Sequence, residues 1–245
     1  MIVAGAPISV PTIQTWYKYF PTTPLRQAMG ATEATAITMI QSCDSCGTTI
    51  GSCGHLVPGM KSLLLPVKHP KSLVDMNNPM QQEAIMKDNS PGELFLTGPK
   101  IMLGYLNSPK VNAESLYHHN GETWYRTGDL FMTQNNGLDF YHISRVKDLL
   151  WYKKPSEESG QWTYIPPFVI ENILVEHSAV KECAVVGVPD EVAGVLLKAY
   201  VVVMEGNVED EELSKDIRRF TELRVSLSKE PRGKKKKNTN AVYLN

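Results

Sequence analysis

Tyr125-Arg126-Thr127-Gly128-Asp129-Leu130 and, after a stretch with hairpin character, Ser144-Arg145-Val146-Lys147-Asp148 are the two runs that decide how this chain is read. Asp129 follows a glycine, so a tight turn can hold its carboxylate in one place, where two oxygens can accept both hydroxyls of a ribose. Arg145 brings a planar, permanently charged fork to the same neighbourhood. Upstream, Gly30-Ala31-Thr32-Glu33 sets a hydroxyl and a carboxylate directly after a glycine turn, a pairing suited to a phosphate oxygen and a hydrated magnesium ion. Each run has an ordinary alternative. Thr32 and Glu33 can cap a helix, Asp129 can bond its own backbone in a turn, and Arg145 can form a surface ion pair. The order of the runs along the chain is what favours a nucleotide site.

With 245 residues, 42% of them hydrophobic, the chain is long enough for one large or two modest domains with packed cores. A net charge of −1 gives no overall signature of nucleic-acid or membrane-surface binding, and no specific nucleic-acid partner is expected. The run Lys234–Lys237 reads as solvated charge. No apolar stretch reaches the ~18–20 residues of a membrane span, and the N-terminus lacks the pattern of a secretory signal. An intracellular protein, cytoplasmic or peroxisomal, is expected, although the terminal Tyr243-Leu244-Asn245 is not a peroxisomal address. Of the four cysteines, Cys43, Cys46 and Cys53 cluster with His55 in a C-x2-C-x6-C-x-H pattern that structural zinc can use. The competing reading, a turn-rich hairpin marked by Gly47, Gly51 and Gly54, is preferred.

Apolar residues at Val10, Ile13, Trp16, Tyr17 and Phe20 predict a helix closed by Pro21, followed by a strand over Leu25–Met29. Glu93–Thr97 and Leu130–His142 predict strands, the second folded at Asn135-Asn136-Gly137. Further on, a helix is expected over 166–178, buried strands over 182–188 and 196–203, and a charged amphipathic helix from Asp210 to about Ser226. Lys153–Thr163 reads as a surface loop.

Taken with Gly5-Ala6-Pro7, Pro91-Gly92-Glu93-Leu94, Gly104-Tyr105 and Cys183-Ala184-Val185-Val186-Gly187-Val188-Pro189-Asp190, these motifs resemble, in order, the C-terminal half of the adenylate-forming superfamily. That superfamily holds acyl-CoA synthetases, 4-coumarate:CoA ligases and luciferases. The resemblance implies an α/β and α+β chain: residues 1–146 as the C-terminal part of the large AMP-binding domain, with an incomplete αβ layer and a β-rich, barrel-like part; 147–230 as a small mobile α+β domain; and 231–245 as a basic tail. It implies an ATP-dependent acid–thiol ligase that makes an acyl-adenylate and passes the acyl group to coenzyme A, with a carboxylic acid as the other substrate. Position by position it implies that Gly5, Ala6, Pro7 and Met29 meet the nucleotide base, that Gly30 and Ala31 belong to the nucleotide site, that Thr32 bonds the α-phosphate and that Glu33 holds Mg2+. Asp129 would take the ribose with Arg145 nearby in the nucleotide site, and Lys147 would be the hinge.

Three departures from the pattern lead to the expectation that the chain alone is inactive. The phosphate loop of the family lies upstream of Gly5-Ala6-Pro7, the tail from Pro231 to Asn245 lacks the lysine context used in adenylation, and Trp151 stands where the family has a lysine near the thiol face. The alternative is a non-catalytic fragment or pseudoenzyme that binds an AMP-like nucleotide or a protein partner.

Overall fold

Helical spacing between Val10 and Phe20 yields α1 (Val10–Tyr19), whose Ile13 is buried while Trp16 stacks on Phe20 with ring centroids 4.4 Å apart. The Trp16 indole N–H donates to the Thr23 carbonyl (2.9 Å), which closes the helix onto the turn before the next strand. The structure, a computed structural model, describes every residue except 7, 9, 43–49, 70–83, 85–86, 154–161, 191–193, 208–209 and 229–245, together with the side chains of 10, 11 and 226–228. It divides into two compact units, Met1–Lys147 and Asp148–Asn245.

The first unit contains two sheets. One has the order β1 (Ile2–Val3), β2 (Arg26–Ala31), β3 (Ala36–Ile40) and β4 (His55–Leu56), with β1 parallel to β2 and the other pairs antiparallel. The other is an antiparallel sheet of β5 (Lys61–Leu65), β6 (Gly92–Thr97), β7 (Leu116–His119), β8 (Glu122–Gln134) and β9 (Asp139–Arg145), and it is open among the described residues. Every residue of β6 is buried, as befits a central strand. Met39, Met60, Leu64, Leu94, Leu96, Phe131 and Phe140 form one core, and Leu65, Phe95 and Trp124 form a second.

Strand β8, 13 residues long, changes partners along one edge. Its first part pairs with β7 as far as Tyr125, and its second pairs with β9 from Asp129 onward. Asn135, Asn136 and Gly137 all have positive φ, so the expected turn forms, and the Asp88 carboxylate accepts from the N–H groups of Asn136 (2.7 Å) and Gly137 (3.0 Å).

The second unit runs β10 (Leu150–Lys153), β11 (Trp162–Ile165), α3 (Pro167–Val175), β12 (Val180–Asp190), β13 (Gly194–Val203) and α4 (Glu211–Ser228). Proline at the first turn of α3 costs no hydrogen bond, and Ile170 and Leu174, one turn apart, are fully buried against Val180, Val185, Ala199, Ile217 and Val225. Trp151 packs edge-on against its cross-strand partner Tyr164, ring centroids 5.0 Å apart.

Of the cysteine–histidine pattern, Cys43 and Cys46 lie outside the described residues. Cys53 is buried, with its N–H donating to the Phe140 carbonyl (2.7 Å), and His55 Nε2 lies 2.9 Å from Asp139 Oδ1. Gln41, Ser52 and Gly54 continue this contact: Gln41 Nε2 donates to the Ser52 carbonyl (2.9 Å), and Ser52 Oγ donates to the Phe140 carbonyl (3.2 Å). Buried polar groups here are satisfied by backbone, which ties the first sheet to the β8–β9 hairpin.

Candidate functional site

Gly128 does not make the tight turn that its neighbours suggest. It lies inside β8 with φ +71, where the pairing with β6 slips: Glu93 faces Leu130, but Phe95 faces Arg126. The extra β8 residues form a bulge, and a glycine accepts the left-handed backbone that this bulge requires. The Thr127 hydroxyl donates to the Leu94 carbonyl (2.9 Å) and accepts from the Asp129 N–H (3.0 Å), so the bulge is pinned from both sides. The aspartate side chain is thereby aimed by strand geometry.

Asp129 is buried and directly opposes Arg145 across the β8–β9 ladder. Arg145 Nε lies 3.0 Å from Asp129 Oδ1, and His142 Nε2 lies 3.4 Å from the same oxygen. Both partners therefore fall on Oδ1, and Oδ2 is left without a hydrogen-bond partner among the described residues. Arg145 is 56% exposed, and its Nη1 also donates to the Thr127 carbonyl (3.4 Å). His142, which also meets Phe131 edge-on at 5.2 Å, was not singled out in the sequence because nothing in its local pattern differs from an ordinary strand residue.

Thr32, Glu33 and Ala34 form a 3-10 turn between β2 and β3. Its N-cap residue is Ala31 and carries no side-chain cap bond, so neither Thr32 nor Glu33 serves as the cap. Thr32 is exposed, and Glu33 is half-buried. The chain leaves the turn through Thr35 and Ala36, both at positive φ, and Gly30 is obligatory because a Cβ there would stand 2.0 Å from the Ala36 carbonyl oxygen. Met29 packs on the core, and the Thr38 hydroxyl lies 3.2 Å from its thioether sulfur. Gly5, with φ +101, and Ala6 are exposed, Pro7 lies outside the described residues, and Lys147 is an exposed member of the 3-10 turn Val146–Asp148.

The two carboxylates share a tyrosine neighbourhood that residue order alone did not connect. The Tyr105 hydroxyl donates to Glu33 Oε1 at 2.5 Å, across 72 residues of sequence. Its hydrogen bond to Glu33, then burial, then the Glu33 charge push its pKa up to about 12. Tyr125 is buried beside it. Desolvation first, and then the charges of Glu33, Tyr105 and Asp129, raise its pKa above the usual phenol range. Behind Tyr125, Arg126 grips Glu93 bidentately (Nε to Oε1 2.6 Å, Nη2 to Oε2 2.9 Å). Burial pulls the Arg126 pKa down, but Glu93 and Tyr117 together more than offset this and raise it.

Magnesium is commonly held by one or two carboxylates, with phosphate oxygens and water completing the octahedron. A single anchored, half-exposed Glu33 suits that role, and among the described residues no group of three or more His, Cys, Asp or Glu side chains converges into an all-protein cage. No helix among the described residues is long and apolar enough to cross a membrane.

Residues 1–106 match the family model described as AMP-binding enzyme, and residues 169–232 match that of the AMP-binding enzyme C-terminal domain. The chain is 31% identical over 202 residues to a protein of Humulus lupulus named probable CoA ligase, covering 82% of this chain and 32% of the relative. It is 30% identical over 224 residues to an acyl-CoA ligase of Purpureocillium lilacinum, covering 90% and 51%. Among solved structures, the o-succinylbenzoate CoA synthetase of Bacillus subtilis in complex with its acyl-adenylate intermediate superposes with a TM-score of 0.65 at 25% identity, covering 87% of this chain and 38% of that one. The chain thus spans between about a third and about half the length of these curated relatives.

Proposed function

Because this chain belongs to the adenylate-forming superfamily of AMP-binding enzymes, we propose that it supplies the ribose, α-phosphate and magnesium contacts of an AMP-forming acid–CoA ligase. The observation that carries this reading is the buried Asp129 carboxylate, with Oδ1 held by Arg145 and His142 and Oδ2 left as an acceptor among the described residues. A ribose offers two adjacent hydroxyl donors, and a fixed carboxylate receives them without reorganising.

In the first half-reaction, a substrate carboxylate oxygen attacks the α-phosphorus of ATP, forming the acyl–phosphate anhydride as pyrophosphate leaves. In this reading Thr32 donates its hydroxyl to the α-phosphate, Glu33 is the protein ligand of Mg2+, and Gly5, Ala6, Pro7, Gly30 and Ala31 are the small residues lining the nucleotide. Magnesium, when bound, neutralises charge on the phosphates and aligns the leaving group. Met29 offers the flank of a thioether to the base where an aromatic face would give a further ~0.5–1.5 kcal/mol. In the second half-reaction, a thiol such as that of coenzyme A attacks the acyl carbon and AMP leaves. Lys147, the last residue of the first unit, serves as the hinge between half-reactions. Domain limits near 1–146 and 147–230 belong to the same reading.

Calorimetric titration of the full chain with AMP, followed by ATP–pyrophosphate exchange with a panel of carboxylic acids, tests the proposal. Micromolar AMP binding with acid-dependent exchange supports the ligase reading. AMP binding without exchange limits the chain to nucleotide recognition, and absence of AMP binding overturns the site.

A further inference from the structure

Glu33 stands on a short turn whose neighbours Thr32, Thr35 and Ala36 are all exposed. Left to itself, such a side chain samples several rotamers, and ordering it when a cation arrives costs free energy. The surrounding chain removes that freedom. The segment from Gly98 to Tyr105 is fastened to the β2–β3 turn by the Met102 N–H on the Glu33 carbonyl (2.8 Å), the Thr35 hydroxyl on the Lys100 carbonyl (2.9 Å) and the Lys100 ammonium on the Ile37 carbonyl (2.8 Å). Asn112, in α2 (Pro109–Ser115), brackets Tyr105 itself: its Oδ1 accepts from the Tyr105 N–H (2.6 Å) and its Nδ2 donates to the Tyr105 carbonyl (3.0 Å). A Cβ at Gly104 would lie 3.0 Å from the Asn112 side chain, and the φ of +150 there independently favours glycine.

We propose that Tyr105, bracketed by Asn112 and backed by Tyr125, is a positioning residue that holds Glu33 in the orientation in which its carboxylate receives the divalent cation. The inference rests on the nucleotide reading above. A hydroxyl donor at 2.5 Å to a carboxylate is a charge-assisted bond, stronger than a neutral one and directional. Tyr105 does not touch the reacting atoms; it acts through Glu33, as hydrogen-bonding partners behind metal ligands do.

The test combines a ligand-free and a ligand-bound measurement on the full chain. In a double-mutant cycle of Tyr105→Phe and Glu33→Gln followed by thermal unfolding, the loss caused by Tyr105→Phe is expected to shrink clearly in the Glu33→Gln background. Binding of Mn2+ in the presence of AMP, read by electron paramagnetic resonance, is expected to weaken by about tenfold in Tyr105→Phe. AMP affinity measured without metal should move several-fold less, and Asn112→Ala should reproduce the pattern. Additive unfolding effects, or Mn2+ affinity unchanged in Tyr105→Phe, would overturn the positioning role. A wild-type chain that binds no AMP would instead overturn the nucleotide reading and, with it, the role of Glu33.

Discussion

Asp129 and Arg145 face each other across the β8–β9 ladder with Nε 3.0 Å from Oδ1, so the acid and the base that stand 16 residues apart in sequence are placed by register rather than by a turn. The pair forms where β8 gives up β7 and takes β9, beside a bulge that bends the strand. Its chemistry therefore depends on strand alignment.

If Asp129 receives the ribose, removing the carboxylate discards a charge-assisted acceptor worth about 1.5–3 kcal/mol. Asp129→Ala is expected to weaken AMP binding by roughly 10- to 150-fold in calorimetry. Asp129→Asn should lose less because it keeps one acceptor. AMP affinity unchanged in Asp129→Ala would remove this residue from the site.

Gly30 has an ordinary φ, so its constraint is contact alone: an added Cβ would meet the Ala36 carbonyl oxygen at 2.0 Å. Backbone cannot swing aside as a side chain can. Gly30→Ala is expected to cost about 3 kcal/mol, read as a lower urea midpoint of the first unit.

The Arg126–Glu93 pair spans β6 and β8 with both forks engaged, and the Glu93 side chain is only 7% exposed. Truncating one member strands the other in a desolvated setting. Glu93→Ala should destabilise by about 3 kcal/mol, while the double replacement Glu93→Leu with Arg126→Met should recover most of the loss. Urea denaturation of the three variants decides it.

In the second unit, burial first and then the Glu171 charge push the Cys183 thiol up from 9.0 to about 11. A raised folded pKa means that the folded state keeps the proton longer. The associated stabilisation is present below about pH 9 and fades as pH climbs from 9 to 11. Peptide-resolved alkylation by iodoacetamide is expected to be slow at Cys183 at pH 8 and to accelerate steeply toward pH 11, with Glu171→Gln shifting the rise to lower pH. Rapid labelling at pH 8 would contradict the half-buried, charge-opposed thiol.

Local pattern and residue chemistry made several elements legible: α1 from its apolar spacing before Pro21, β6 from its continuous apolar run, the β8–β9 turn from Asn135-Asn136-Gly137, and the Pro167 start of α3. These follow from interactions within one element, where backbone preference and side-chain period act over a few residues. Motif order likewise led to the family. Other features arise only when distant segments meet. Gly128 reads as a turn but serves a bulge because β6 sets the register opposite it. Thr32 and Glu33 read equally well as a helix cap, but the backbone makes Ala31 the N-cap of the turn. Tyr105 reaches Glu33 across 72 residues, and His142 reaches Asp129 from the adjacent strand. By itself, then, the sequence determined several of the elements, the family and the chemical types of the candidate residues; tertiary structure decided the remaining pairings and which oxygen of each carboxylate is held and by what, because a hydrogen bond depends on distance and direction between segments whose spacing in the chain carries no such information.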